Sequence, residues 1–446
     1  MKLLKRKVDK YLVDWKANAN KLPLIIKGAR QVGKTESIRF FAHNNYENFV
    51  EINFALQKQY CSIFDDGFDV DTILKNISFL NPNITFVPYK TLIFFDELQD
   101  CVNCATSLKP FKLDERYDVI CSGSMMGINY NEIESNSVGY KEDYNMYSLD
   151  FEEYLWAKGY NEEQLEDLYN HMLHLKPLSK IQFDVLSDSF KEYLVLGGMP
   201  AVVNSFIINK NFGGTLKIQK QILADYEEDI TKYATGLDKG KILSVYERIA
   251  VFLGQENKRF QITKISKNSR NREYIGVVEW LNSSGIIHVC HLIDNLSLPL
   301  KGNYNPNHYK IYFHDVGLLI GSLDEEAQQD LRDNKNFNTY KGAIFENVIA
   351  DMLVKQGYPL LYFRDHKNNL EVDFIVRDAS SLIPVDIKGS SALSLNKLIN
   401  NKNLKEIKFG IKLSNQNIGF NDKFYSFPYF LTFLLKRFLR EKGRAL

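Results

Sequence analysis

Short apolar runs, each closed by a glycine or a polar turn, punctuate the first third of the chain. They are Leu22-Pro-Leu-Ile-Ile-Lys27, Phe49-Val-Glu-Ile-Asn53, Thr91-Leu-Ile-Phe-Phe-Asp96, Tyr117-Asp-Val-Ile-Cys121 and Met146-Tyr-Ser-Leu149. Runs of this length and apolar content read as buried parallel strands. Between them the spacing changes to three and four. Leu4, Val8, Tyr11 and Leu12 fall on one side of a helix over Leu3–Trp15, and Thr35–Ala42 reads as a second helix. Strands alternating with helices predict a doubly wound α/β domain over residues 1–150.

Beyond it the pattern is helical through residues 151–238, broken at Gly197-Gly198-Met199-Pro200. Residues 239–325 begin with two or three helices and continue into β-like runs at Gly285–Cys290 and Lys310–Phe313. Residues 335–446 open with a helix. The strands Leu360–Phe363, Val372–Val376 and Ile383–Lys388 follow. The chain has 446 residues, more than the roughly 250–300 at which single cores stop growing, so several domains are expected.

The charge balance narrows the partners. A formal net charge of +1 does not indicate a globally basic nucleic-acid binder, though a local basic face remains open. The five cysteines are an odd, sparse set in a large chain, which argues for a reducing compartment. Cys101 and Cys104 have redox or zinc spacing, but no second Cys or His pair sits near them. The N-terminus lacks a signal-peptide apolar run, and no stretch is long and apolar enough to span a membrane. The expected location is cytoplasmic, with no membrane partner.

The sharpest chemical signal is Gly28-Ala29-Arg30-Gln31-Val32-Gly33-Lys34-Thr35. It fits the phosphate-binding loop G-x-x-x-x-G-K-[ST], with a strand before it and a helix after it. Glycines let backbone N–H groups turn toward phosphates, and the helix presents its positive end to them. Lys34 would reach the β- and γ-phosphates of ATP, and the Thr35 hydroxyl would ligate magnesium. At the end of a later strand, Asp96 would hold that magnesium and Glu97 would polarise the attacking water. Ser124, at the tip of the next strand, is a candidate to contact the γ-phosphate or position water; the plainer reading is a turn serine.

These segments resemble the prokaryotic AAA-type ATPases that carry an uncharacterised C-terminal region. The resemblance rests on the loop, on Phe95–Gln99 and on Ser122–Ser124. It continues through Ser148–Tyr154, Tyr193–Pro200, Asp225–Asp229, Lys310–Gly317, Gly342–Glu346 and Glu371–Asp373, and so covers nearly the whole chain. One departure is Gly139-Tyr140, where the family usually shows Gly-Arg. An arginine that senses the γ-phosphate would therefore be missing or moved, which makes slow turnover an open expectation.

Two further parts carry their own signals. Phe260–Ser266 and Arg272–Leu281 read as helix, turn, helix, with Ile275, Val278 and Leu281 on one face, and the segment resembles the family's winged helix. Lys264, Lys267, Arg270 and Arg272 would form a basic face able to contact phosphates, or a protein-docking surface. At the C-terminal end, Glu346 lies on a helix, Asp373 on a strand, and Asp386 and Lys388 two apart on the next strand. Carboxylates in that order can hold hard metal ions, and a nearby lysine can stabilise developing charge. The pattern resembles the PD-(D/E)xK nuclease fold; the alternative is a structural remnant with Asp373 and Lys388 paired.

The expected architecture is an N-terminal doubly wound P-loop AAA-type domain, a helical region, a winged helix and a C-terminal α/β nuclease-like domain. The expected function is ATP hydrolysis with Mg2+ that drives domain rearrangement, acting on nucleic acid, with DNA as a candidate partner. Two alternatives stand beside it. One is an ATP-gated DNA nuclease with little turnover; the other is a non-catalytic ATP-dependent switch controlling a protein partner.

Overall fold

The structure is a computed structural model. It describes residues 4–124, 138–234, 239–253, 274–323, 326–333, 339–365, 370–379, 381–387, 393–421 and 423–445.

The first sheet is built by the apolar runs. Strands β1 (Leu24–Gly28), β2 (Asn48–Asn53), β3 (Thr91–Asp96), β4 (Asp118–Ser124) and β5 (Glu142–Asn145) are all parallel, in the order β2-β3-β4-β1-β5. Central β1 and β3 are buried at every position, because helices cover both faces. Helices α1 (Lys7–Ala17) and α2 (Lys34–Asn45) pack with Leu24, Ile26 and Phe94 into one core. On the other face, α3 (Val70–Leu80) and α4 (Asn103–Asp114) pack with Ile25, Ile93 and Phe95 into another. Since β4 lies between β1 and β3, its C-terminal tip falls between the glycine-rich loop and Asp96.

The fifth strand departs from the sequence expectation. It is Glu142–Asn145, not Met146–Leu149. An edge strand covered on one side needs only alternate burial, and Glu-Asp-Tyr-Asn alternates between half-buried and exposed. Met146 and Leu149 are buried just beyond it, in the turn that leads to helix Phe151–Lys158. Asp150 caps that helix: its side chain accepts from the Glu153 N–H, and Glu153 returns the bond.

Residues 151–234 are helical, as expected, in Phe151–Lys158, Glu162–Leu173, Lys180–Leu196, Pro200–Asn209 and Thr215–Tyr233. The Gly197–Gly198 break falls between the third and fourth.

The remaining strands are β6 (Ile287–Ile293), β7 (Tyr304–Phe313), β8 (Leu361–Asp365), β9 (Leu370–Val372), β10 (Phe374–Asp378), β11 (Ser381–Asp386), β12 (Gly410–Ser414), β13 (Gly419–Asn421) and β14 (Phe424–Pro428). One sheet runs β7-β6-β8-β9, the other β10-β11-β12-β14-β13. The first takes strands from both sides of residues 325–335, so the segments expected as winged helix and nuclease-like end share a sheet. The expected strand through Val372–Val376 is split at Asp373, and its two parts enter different sheets. Lys264, Lys267, Arg270, Arg272 and Lys388 lie outside the described residues. Helix Ile275–Ser283 is present, with Val278 and Leu281 buried. Among the described residues no helix is long and apolar enough to cross a membrane.

Candidate functional site

Two glycines shape the loop that joins β1 to α2. Gly33 has φ +96°, a left-handed conformation that L side chains rarely adopt. A methyl group on Gly28 would stand 2.1 Å from the Met146 carbonyl oxygen. With both in place α2 begins at Lys34, and its positive end opens onto the loop. The loop is fixed from behind by Arg6, which is buried. Its guanidinium donates to the Val32 carbonyl (2.8 Å), the Tyr147 carbonyl (2.7 Å) and Glu153 (3.1 Å).

Lys34 folds back on the loop, and its ammonium donates to the carbonyls of Gly28 (3.0 Å) and Ala29 (2.8 Å). Burial pushes its pKa down to about 8, against the pull of Glu97 and Asp96. Thr35 Oγ1 donates to Asp96, 3.2 Å from Oδ2. Asp96 also accepts from Asn53 Nδ2 at 2.9 Å and from the Ser122 hydroxyl. The tips of β2, β3 and β4 and the start of α2 thus converge on one carboxylate. This donor set is all oxygen plus one amide, which suits a hard cation such as Mg2+.

Glu97 follows in a left-handed conformation, φ 56° and ψ 52°. A non-glycine residue held there marks a locally constrained backbone. Its carboxylate accepts from Gln99 Nε2, and Gln99 Oε1 accepts from the Ser124 backbone N–H at 3.2 Å. Gln99 therefore ties the end of β3 to the tip of β4. Among the described residues Ser124 Oγ is buried without a hydrogen-bond partner, so its hydroxyl is available to a group entering the site.

The loop's crest is gripped from the helical region. Arg30 pairs with Asp229 at 2.7 Å and donates to the Tyr233 hydroxyl at 2.9 Å. Tyr226 donates to the Arg30 carbonyl at 2.9 Å, and Gln31 donates to Asp225 at 2.6 Å. All four partners lie on helix Thr215–Tyr233. Tyr140, which stands where an arginine was expected, lies beneath the Lys109 ammonium, 4.9 Å from the ring centre.

Family comparison agrees with this geometry at the N-terminal third. Residues 20–155 match the family described as AAA domain. Residues 187–329 and 341–430 match two domains of unknown function, DUF8612 and DUF4143. No curated protein matches the chain. Among solved structures the chain is similar to the Walker-type ATPase PABY2304 of Pyrococcus abyssi, at 12% identity, covering 72% of this chain and 96% of that one, with a TM-score of 0.44. It is also similar to AMPPCP-bound DnaA from Aquifex aeolicus, at 12% identity over 61% and 85% with a TM-score of 0.29. A third likeness is to the Aeropyrum pernix ORC1 protein in complex with DNA, at 11% identity over 75% and 94% with a TM-score of 0.23. At such scores none of the three bears on how the parts of this chain are arranged.

Within the matched segment the predicted residues stand together: the loop, Asp96, Glu97 and Ser124. Arg6, Asn53, Gln99, Ser122 and the grip on Arg30 were not foreseen. Asn53 and Ser122 end apolar strands, which is a usable signal. A lone arginine ahead of a helix reads as a solvated charge, and only the fold brings Arg6 to the loop.

The C-terminal carboxylates are arranged differently from a set open to metal. The Lys310 ammonium lies 2.8 Å from Glu346 Oε1 and 3.3 Å from Glu371 Oε1. Tyr312 donates to the same Glu346 oxygen at 2.8 Å. Lys310 is almost wholly buried. Glu346, Asp373 and Glu371 hold its pKa well above the usual lysine range despite the cost of burial. Asp373 Oδ2 accepts from the Ile387 backbone N–H at 2.9 Å, and Asp386 ends β11, in register with Lys412. Among the described residues no group of three or more His, Cys, Asp or Glu side chains could hold a metal ion. Cys101 and Cys104 are buried free thiols.

Proposed function

We propose that the chain binds and hydrolyses ATP with Mg2+ at the AAA domain. The observation that carries this is the convergence of Lys34, Thr35, Asp96 and Glu97 at one end of the parallel sheet, beside the open end of α2. Thr35 and Asp96 would hold Mg2+, which when bound neutralises phosphate charge. The backbone of Ala29–Gly33 and the Lys34 ammonium would bind the β- and γ-phosphates. Glu97 would take a proton from a water molecule as its oxygen bonds to the γ-phosphorus and the bond to the β–γ bridging oxygen breaks. Gln99 would hold Glu97 meanwhile, and Ser124 would contact the γ-phosphate or position water.

The test is Glu97→Gln. It should retain nucleotide binding and lose at least about a hundredfold in turnover, the usual scale for removing a general base. Turnover at the wild-type rate would put the base elsewhere.

For the output of the cycle, one observation favours the switch that acts on a protein partner over DNA cleavage. Lys310 already supplies a cation to Glu346 and Glu371, which offsets part of the acidic set's charge from within and occupies carboxylate oxygens that a metal would need. In this reading nucleotide state moves the helical region, and the C-terminal α/β part is a docking unit. Action on DNA through the winged-helix segment is the competing output.

A further inference from the structure

We propose that Asp229 is a latch: it holds the loop arginine Arg30 against helix Thr215–Tyr233, and nucleotide phosphate competes with it for that arginine. The proposal rests on the ATP-site reading above and concerns how that site is regulated.

The latch is well placed but incompletely satisfied. Arg30 Nη1 meets Asp229 Oδ1 at 2.7 Å, and Nη2 meets the Tyr233 hydroxyl at 2.9 Å. Yet among the described residues Arg30 Nε and Asp229 Oδ2 are both buried without hydrogen-bond partners. A half-buried pair with an unmade bond on each side is weaker than a bidentate one. The surroundings weaken it further. Asp229 faces Arg30 from the loop and Glu97 from the end of β3, with Asp225 and Lys232 on its own helix. Burial raises its pKa to about 6, with Arg30 only partly opposing. Phosphate in the loop would bring negative charge beside Asp229, Asp225 and Glu97 while offering Arg30 a multivalent acceptor. Both effects favour opening.

The same helix reaches the C-terminal half. Tyr226, which donates to the Arg30 carbonyl, packs its ring on His314, 5.6 Å between centres. Gln219 donates to the Val195 carbonyl at 2.8 Å and accepts from Gln328 at 3.1 Å. Displacing the helix at Asp229 would therefore be felt at β7 and the segment that follows it. Arg30 would be the residue that reports phosphate, filling the place left by Tyr140.

The test is titration of full-length protein with a fluorescent ATP analogue and Mg2+, comparing wild type, Asp229→Asn and Asp229→Ala, with Lys34→Ala as control. Asp229→Asn keeps the shape of the side chain, so a folding defect in Asp229→Ala does not decide the result. If the latched state dominates without nucleotide, opening it should tighten binding about three- to tenfold in both variants. As pH falls from about 7.5 to about 5.5, wild-type Asp229 takes up its proton and the gap to Asp229→Asn should close. Hydrogen exchange across Asp225–Tyr233 should rise when nucleotide is added to wild type. Equal or weaker binding by both variants, with Lys34→Ala still inactive, would overturn the latch and leave the P-loop reading standing. Wild-type protein that binds no better than Lys34→Ala would bring down both.

Discussion

Lys34, Thr35, Asp96 and Glu97 are each held by a neighbour that fixes their chemistry. Lys34 is the clearest case. Its ammonium rests on two loop carbonyls, and burial lowers its pKa to about 8. The protonated form is the one that binds phosphate. Nucleotide affinity should therefore be steady through neutral pH and fall as pH rises past about 8, with proton uptake on binding in that range. Calorimetry in buffers of different ionisation enthalpy measures that uptake directly. For stability the sign is opposite: a lysine with a depressed pKa makes the fold gain as pH rises from about 8 toward the unfolded value. Gln99 offers a second residue-scale test. Gln99→Ala frees Glu97 and the Ser124 N–H, and should slow turnover about tenfold or more while leaving binding close to wild type; unchanged turnover would show that Glu97 does not need this support.

At the scale of elements, the sequence was most readable where apolar content and period agreed. The loop, β1, β3 and α2 stand where Gly28–Thr35 and the flanking runs place them, because strands buried on both faces need uninterrupted apolar residues. The edge strand Glu142–Asn145 was not readable, since a strand covered on one side can be polar throughout. Instead, the buried Met146 and Leu149 imitated a strand. The split at Asp373 was hidden for another reason: Val372 and Phe374 are both apolar, and nothing local says that they join different sheets. The motif Gly197-Gly198 has a packing cause that sequence alone could not supply. A methyl group on Gly198 would stand 1.9 Å from the Leu149 carbonyl oxygen, and Gly198 N–H donates to Asp315 at 2.7 Å. Gly198→Ala should cost about 1–3 kcal/mol or more through forced backbone displacement, seen as a lower thermal midpoint. An unaltered midpoint would mean that the junction yields freely.

Across the whole molecule, three segments meet at that junction. Asp315 also accepts from the Ser148 hydroxyl at 2.7 Å. Lys355 donates to Ser148 at 2.9 Å and pairs with Asp351 at 2.6 Å, and His288 lies 3.3 Å from the other Asp351 oxygen. These groups are buried, so breaking one partner of this network in place would leave an uncompensated buried charge. In the switch reading proposed above, this junction would carry the motion. The C-terminal acidic set bears on what receives it. With Lys310 seated among the carboxylates, purified protein should leave supercoiled plasmid intact in Mg2+ or Mn2+. Nicking that disappears in Asp386→Ala would restore the nuclease reading and displace the docking one.

All of this depends on the loop Gly28–Thr35 taking up nucleotide. The most direct test is titration of wild type and Lys34→Ala with a fluorescent ATP analogue in Mg2+ at neutral pH. The geometry of Lys34, Thr35 and Asp96 predicts saturable binding by wild type and its loss in the variant, with the variant still folded by circular dichroism. Equal binding by the two proteins, or none by wild type, would contradict it.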